Sequence, residues 1–425
     1  MAYQCVKGTY DLLPEDLYYF EKVETLFRHF MNLYGYREIK TPVFEFTGVF
    51  AKENDTSDMV TKEMYSFSPN GKDSYTLRPE GTAGVIRSFV EKKMHGSNEL
   101  PVKLAYIEEM FRHERPQKGR QRQFTQMGVE NIGEKNPMID AETIALGYFY
   151  VRTLGLSQIE VRINTLGDAD SRIAYKNKLI EYFSQYKEEL CFDCQNRLEK
   201  NPLRILDCKV DHHLDIIKNA PKMADYLTPV AKEYYKKVLG YLDAMGIPYK
   251  IDDTLVRGLD YYTDTVFEVV SLNPESGSQS TIFGGGRYDS LVKEMGGPEI
   301  SGMGFAIGVE RLIILAKAEG VFDEYKPSTD VYVIDMTKGS DYALEVATIL
   351  RNNSYATELN YYDRSMKAQF KSSERKNARF VAIIGEDEMN NGTIALKDTK
   401  DRSQRIVKLD ELIDCLDSIL EEENV

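Results

Sequence analysis

Apolar positions change their period several times along this chain. At residues 17–34, Phe20, Val23, Phe27, Phe30 and Tyr34 recur three or four apart, which predicts an amphipathic helix stopped at Gly35. Residues 36–46 read as a strand, and Pro42 puts it at an edge or at a break in pairing. Residues 75–91 read as strand, turn and helix, with Pro79 and Gly81 at the turn. Two longer strands, 103–111 and 122–132, flank a polar loop; a helix at 138–154 and a strand at 159–163 follow. From about 171 to 242 the periodicity is helical and the composition rich in Lys, Glu and Tyr, as in an α-helical insertion. Strands return at 249–256, 265–271 and 282–283, glycines gather at 284–286 and 302–308, and a helix opens near Val309. After a linker at 323–329, strands at 331–334, 380–384 and 393–397 and a helix at 342–352 suggest a small α/β domain. The expected fold class is α+β, with one domain over 1–325 that includes the insertion and a second over 326–425.

Composition adds bounds. Hydrophobic residues make up 42% and charged residues 29%, ordinary for a globular protein with a sizeable core. No apolar run approaches the ~18 residues of a membrane span, and the first residues carry no basic-then-apolar signal pattern. Cys5, Cys191, Cys194, Cys208 and Cys415 are an odd, scattered set, which points to reduced thiols and a cytoplasmic address. A net charge of −14 argues against broad nucleic-acid binding, so neither DNA nor a membrane is an expected partner. RNA binding would need local basic clusters.

Three segments carry candidate chemistry. Between the strands at 103–132, Arg112, Arg115, Lys118, Arg120 and Arg122 place five cations within eleven positions, interrupted only by Glu114. Guanidinium forks match phosphate oxygens, so such a hairpin suits a polyanion, although a solvated loop has the same composition. Val256-Arg257-Gly258-Leu259-Asp260-Tyr261-Tyr262 joins an Arg, an Asp and two Tyr between strand-like residues. Gly302-Met303-Gly304-Phe305-Ala306-Ile307-Gly308 enters a helix with Arg311 in its first turns, and its glycines do not follow the dinucleotide fingerprint. Cys191-x-x-Cys194 with Cys208 and His212-His213 has near-zinc spacing, but fewer than four ligands are fixed by pattern. No structural metal is expected, and these cysteines read as packing residues of the insertion.

Taken together, the three segments resemble the second and third signature motifs of class II aminoacyl-tRNA synthetases, and residues 35–44 are similar to the first. Longer strings resemble the histidyl-tRNA synthetase family: Thr76-Leu77-Arg78-Pro79-Glu80-Gly81-Thr82-Ala83, Phe111-Arg112-His113-Glu114-Arg115-Pro116-Gln117-Lys118-Gly119-Arg120, Arg257-Gly258-Leu259-Asp260-Tyr261-Tyr262 and Gly285-Gly286-Arg287-Tyr288-Asp289. The likeness runs from Lys7 to Glu386.

That resemblance implies an antiparallel class II catalytic sheet with a helical insertion, and a C-terminal α/β anticodon-binding domain. It implies a ligase that activates L-histidine with ATP and transfers it to tRNA(His), as a homodimer built through the first motif. Histidine would be held by Glu80, Gly81, Thr82, Gln126, Glu130, Tyr261 and Tyr262, with Arg112 and Arg257 acting on its carboxylate and on the α-phosphate. ATP would meet Arg112, Glu114, Arg120, Phe124 and Arg311, with Mg2+ at the pyrophosphate. Arg257 would be the principal catalytic group. The tRNA would meet Gln117 and Arg122 at its acceptor end. Farther along, Arg364, Lys367, Lys371 and Arg375 fall at spacings of three and four, one helix face extended by Lys376 and Arg379. Two other classes stay open: a non-catalytic histidine-binding regulator and an inactive RNA-binding scaffold.

Overall fold

Pairing of strands that are distant in sequence organises the larger part of the chain. The computed structural model describes all residues except 1–2, 52–56, 58, 97–98, 118, 209, 257–260, 275–279, 338, 340 and 424–425. The chain divides into two units, Met1–Asp323 and Glu324–Val425. No described helix is long and apolar enough to cross a membrane.

In the first unit the strands are β1 (Arg37–Glu38), β2 (Phe44–Phe46), β3 (Ser66–Phe67), β4 (Tyr75–Leu77), β5 (Val102–Phe111), β6 (Gln123–Ile132), β7 (Ile159–Thr165), β8 (Tyr249–Ile251), β9 (Thr263–Ser271), β10 (Thr281–Tyr288) and β11 (Gly302–Gly308). Eight of them form one sheet in the order β1-β5-β6-β11-β10-β9-β7-β8. Its interior is antiparallel, and only the edge pairs β1/β5 and β7/β8 run parallel. The segment around Pro42 is not one strand. β1 pairs with β5, whereas β2 joins β4 and β3 in a separate three-stranded sheet. Pro42 lacks an N–H for a ladder, and the chain changes sheets there.

The β10 strand is much longer than the two residues its apolar content suggests, because Gly284, Gly285 and Gly286 lie inside it. Glycine is a poor strand former, so the pairing comes from neighbours on both sides rather than from local preference. Arg287, fully buried, forms an ion pair with Asp140 on the helix Pro137–Leu154 and bonds Ser301, which ties the end of β10 to the helix layer.

The insertion has its own small core, with Tyr175, Leu179, Phe183, Leu198, Ile205, Ile217 and Met223 buried together. Its helices include Ala169–Ser184 and Phe192–Lys200. The helix Pro229–Ala244 packs instead on Pro137–Leu154, so it belongs to the layer covering the large sheet.

The second unit is a five-stranded sheet of β12 (Thr329–Asp335), β13 (Thr357–Leu359), β14 (Ala378–Ile384), β15 (Thr393–Asp398) and β16 (Gln404–Lys408), ordered β13-β12-β14-β15-β16. Its core joins Val331, Val333 and Phe380 from the sheet with Val346, Leu350, Leu412 and Leu416 from two helices.

Candidate active site

A cavity of about 340 Å³ opens where the β5–β6 connection faces β10, β11 and the start of the helix Val309–Ala318. That volume is at the lower end of small-ligand pockets, which run from ~300 to ~1,000 Å³. Arg112, Glu114 and Arg120 enter it from the connection, Phe124 and Gln126 from β6, and Glu310 and Arg311 from the helix. The Arg112 Nε donates to the Pro79 carbonyl at 2.8 Å, and its guanidinium lies 5.1 Å from the Phe124 ring centroid. Arg120 reaches Glu114 at 3.4 Å, and the Arg311 Nη1 donates to the Thr281 carbonyl at 3.1 Å. Burial pushes the Arg311 pKa down, and the nearby Arg120 and Arg112 push it further the same way. Cations from two distant parts of the chain thus crowd one half-buried space, an arrangement that an anionic ligand relieves. Burial raises the Glu310 carboxyl to about 7, against the N–H of Thr125 that it accepts at 2.8 Å.

Beside this cavity lies a second, fully enclosed polar group. Glu80 follows β4 at the turn, and its two oxygens accept from the N–H groups of Thr82 and Ala83 at 2.7 and 2.8 Å, which caps the helix Thr82–Glu91. The Thr82 hydroxyl donates to one oxygen of Glu130 at 2.6 Å, and the Tyr288 hydroxyl donates to the other at 2.6 Å. Gly304 stands opposite Glu130 in the β6–β11 pairing, where a Cβ would lie 2.1 Å from the carboxylate. Only glycine leaves room for that side chain. Burial raises Glu130 to about 8, opposed by the Thr82 and Tyr288 hydrogen bonds. Burial also pushes Glu80 up, opposed first by the N–H groups of Ala83 and Thr82 and least by the nearby Arg112. Arg112 therefore acts on both the enclosed group and the cavity.

Near Glu130 the hydroxyls of Tyr106 and Tyr261 are buried without a hydrogen-bond partner, and so is the Gln126 amide oxygen four positions back along β6, toward the cavity. Leaving such a group unpaired costs ~1–3 kcal/mol. Two beside Glu130, with a third where the cavity begins, mark a space shaped for a polar ligand. The Tyr261 ring lies 4.8 Å from Tyr262 and 5.9 Å from Tyr288, so aromatic rings wall the space.

The sequence-predicted residues separate into these two neighbouring groups. Glu80, Thr82, Gln126, Glu130, Tyr261 and Tyr262 are buried or nearly so, with Gly81 as the N-cap of the helix after Glu80. Arg112, Glu114, Arg120, Phe124 and Arg311 line the cavity, which Gln126 also reaches. Arg257 lies outside the described residues, as does Lys118. Gln117 is exposed at a tight turn closed by backbone bonds to Arg120. Arg122 donates to the carbonyls of Glu114 and Lys7, both at 3.3 Å, and so helps to hold the N-terminal segment against the hairpin. Residues not singled out for a role from the sequence are Tyr106, Tyr288, Glu310 and Arg204. For Tyr106 a signal existed in Gly128, since a Cβ there would lie 2.3 Å from the tyrosine hydroxyl. Arg204, on the short 3-10 turn Pro202–Ile205 of the insertion, lines the cavity and belongs to no motif.

In the second unit, Lys367, Lys371 and Arg375 are exposed and lie four apart on the helix Met366–Arg375. Arg364 is not on that helix face: it precedes the N-cap Ser365, with its guanidinium 4.8 Å from the ring centroid of exposed Tyr362. Lys376 and Arg379 do not extend the face, because Lys376 pairs with Glu358 at 2.8 Å and Arg379 with Asp398.

Comparison with known proteins agrees with this geometry. A sequence model of the family described as histidyl-tRNA synthetase matches residues 8–175 and 196–312, and one described as anticodon binding domain matches 330–419. The histidine–tRNA ligase of Bacillus cytotoxicus is 48% identical over 412 residues, 96% of this chain and 97% of that protein. The histidine–tRNA ligase of Lysinibacillus sphaericus is 45% identical over 418 residues, 98% of this chain and 99% of that protein. The crystal structure of apo histidyl-tRNA synthetase from S. aureus superposes with a TM-score of 0.83 at 38% identity, covering 98% of this chain and 100% of that one. With cations converging on a cavity beside a buried polar pocket, and with this likeness over nearly its whole length, the chain belongs to the histidyl-tRNA synthetase family.

Proposed function

We propose that this chain is a histidine–tRNA ligase: it activates L-histidine with ATP, releases pyrophosphate, and transfers the histidyl group to the 3′ end of tRNA(His). The observation that carries the reading is the adjacency of the two groups: Arg112 lines the cavity, and its Nε donates to the carbonyl of Pro79, the residue before Glu80.

Neutral imidazole offers one donor and one acceptor. The enclosed space offers Glu130 and the unpartnered Tyr106 and Tyr261 hydroxyls, which together can meet both nitrogens. Gln126, Thr82 and Glu80 are placed to meet the α-ammonium, so the carboxylate of histidine points toward Arg112. Such a pocket rejects apolar amino acids, because they would leave its polar groups unpaired.

ATP lies in the cavity, with the adenine on Phe124 and beside Glu114, and the phosphates among Arg112, Arg120 and Arg311. The histidine carboxylate attacks the α-phosphorus, and the bond to the pyrophosphate oxygen breaks. Negative charge builds on the non-bridging oxygens, where fixed guanidiniums stabilise it without reorganising. Arg112 and Arg257 take this role, Arg257 on the strength of the family resemblance alone. Glu310, a carboxylate of the same cavity, would hold a Mg2+ ion, which would supply charge neutralisation at the pyrophosphate. In the second step the terminal ribose hydroxyl of the tRNA attacks the histidyl carbonyl and AMP leaves. No side-chain nucleophile is required.

The tRNA meets the second unit at Lys367, Lys371 and Arg364, with Tyr361 and Tyr362 exposed beside them for stacking on bases. Gln117 and Arg122 serve the acceptor end. The functional form is a cytoplasmic homodimer. Phe44, Phe46 and Phe67 form an exposed aromatic cluster on the three-stranded sheet, next to the segment that resembles the first class II motif. Charging of a tRNA(His) transcript with labelled histidine tests the assignment. Histidyl-tRNA is the expected product, and absence of charging in the presence of ATP and Mg2+ would overturn it.

A further inference from the structure

We propose that Cys191, Cys194, Cys208 and Asp211 form a four-ligand zinc site that fastens the helical insertion. The three sulfurs and a carboxylate oxygen all lie within 4.8 Å of one another, and Cys194, Cys208 and Asp211 are buried. The Cys191 and Cys208 sulfurs are 3.8 Å apart. Tetrahedral zinc, with Zn–S bonds of ~2.3 Å, holds two sulfurs ~3.8 Å apart. A disulfide would need ~2 Å.

Two backbone bonds support the anionic ligands. The Cys191 N–H donates to Asp211 Oδ2 at 3.0 Å, and the Asp211 N–H donates to the Cys208 sulfur at 3.5 Å. Bonds of this kind orient metal ligands and balance their charge. The spacing also fits: Cys191-x2-Cys194 is followed, after thirteen intervening residues, by Cys208-x2-Asp211, a paired arrangement in which the aspartate takes the place of a fourth cysteine. The neighbouring His212 and His213 are not members of the group.

The site has structural work to do. Cys191 is the N-cap of the helix Phe192–Lys200, Cys194 lies in its first turn, and Cys208 follows the 3-10 turn Pro202–Ile205. A metal there joins both ends of the segment that carries Arg204 to the cavity, inside a core too small to be rigid by packing alone.

Elemental analysis of the full-length chain, purified under reducing conditions without chelator, tests this apart from any ligase activity. About one zinc per chain is expected, the stoichiometry of a closed four-ligand site. Cys194→Ser and Asp211→Asn lower it, and Cys415→Ser, in the other unit, leaves it unchanged. Should Cys194→Ser fail to fold, wild-type protein stripped of metal and given Co2+ still reports. A near-ultraviolet thiolate-to-cobalt charge-transfer band is expected. The proposal is overturned by reduced wild-type protein with neither zinc nor that band, by a Cys191–Cys208 disulfide found in its place, or by zinc content that Cys194→Ser does not change.

Discussion

In the proposed reading, Glu130 is the residue on which recognition of the amino acid turns. It is enclosed by Thr82 and Tyr288, and burial raises its pKa to about 8. The sign of the pH effect follows. Between the ordinary carboxylate range and about 8, the folded chain keeps a proton that the unfolded chain has released. Stability therefore falls as pH rises through that window and levels off above it. Glu130→Gln removes this slope, which urea titrations across the window would show; equal slopes in the two proteins would contradict the assignment. The same substitution should raise the KM for histidine roughly tenfold to hundredfold, because a buried hydrogen-bonding group no longer matches its ligand, and should leave the KM for ATP in place. Glu80, Thr82 and Glu130 were legible in the sequence through motif resemblance. Tyr106 was not, because it stands in a run of ordinary strand residues and its ring has meaning only against Gly128 on the neighbouring strand.

At the scale of elements, the cavity depends on a hairpin, a strand-to-helix junction and a short turn from the insertion. The first two were readable. The charged β5–β6 connection is bounded by strongly periodic strands, and the glycine-rich β11 runs directly into the helix Val309–Ala318. The 3-10 turn Pro202–Ile205 was not, since no local pattern says that Arg204 will line the same cavity as Arg311. Arg204→Ala should raise the KM for ATP several-fold, the loss of one charge-assisted phosphate contact of ~1.5–3 kcal/mol being the upper bound. The KM for histidine should not move, and steady-state kinetics that show both constants unchanged would remove Arg204 from the nucleotide site. Strand β10 runs longer than its apolar residues predict for a related reason. Its three glycines carry little strand preference, and its pairing is decided by β9 and β11. The β2–β4–β3 sheet is built from strands of only two or three residues within 44–77, too short for a periodic pattern to show.

At the scale of the whole molecule, a chain of net charge −14 must meet a polyanion through small basic surfaces. On the second unit that surface is narrower than the sequence implies, since Lys376 and Arg379 are spent on Glu358 and Asp398. Replacing Arg364, Lys367 and Lys371 together by Gln should weaken tRNA binding and reduce its salt dependence, while adenylate formation stays at the wild-type rate. Filter binding at several salt concentrations checks the first part, and an unchanged salt slope would count against this surface. Phe44→Glu with Phe46→Glu should convert a dimer to monomers in sedimentation; an unchanged mass would place the dimer contact elsewhere. In the proposed reading, guanidiniums converge on one nucleotide beside a pocket that accepts only imidazole. ATP–pyrophosphate exchange, run separately with each amino acid, tests it most directly: exchange is expected with histidine alone and is lost in Arg257→Ala, whereas exchange driven by another amino acid, or none with histidine, would contradict it.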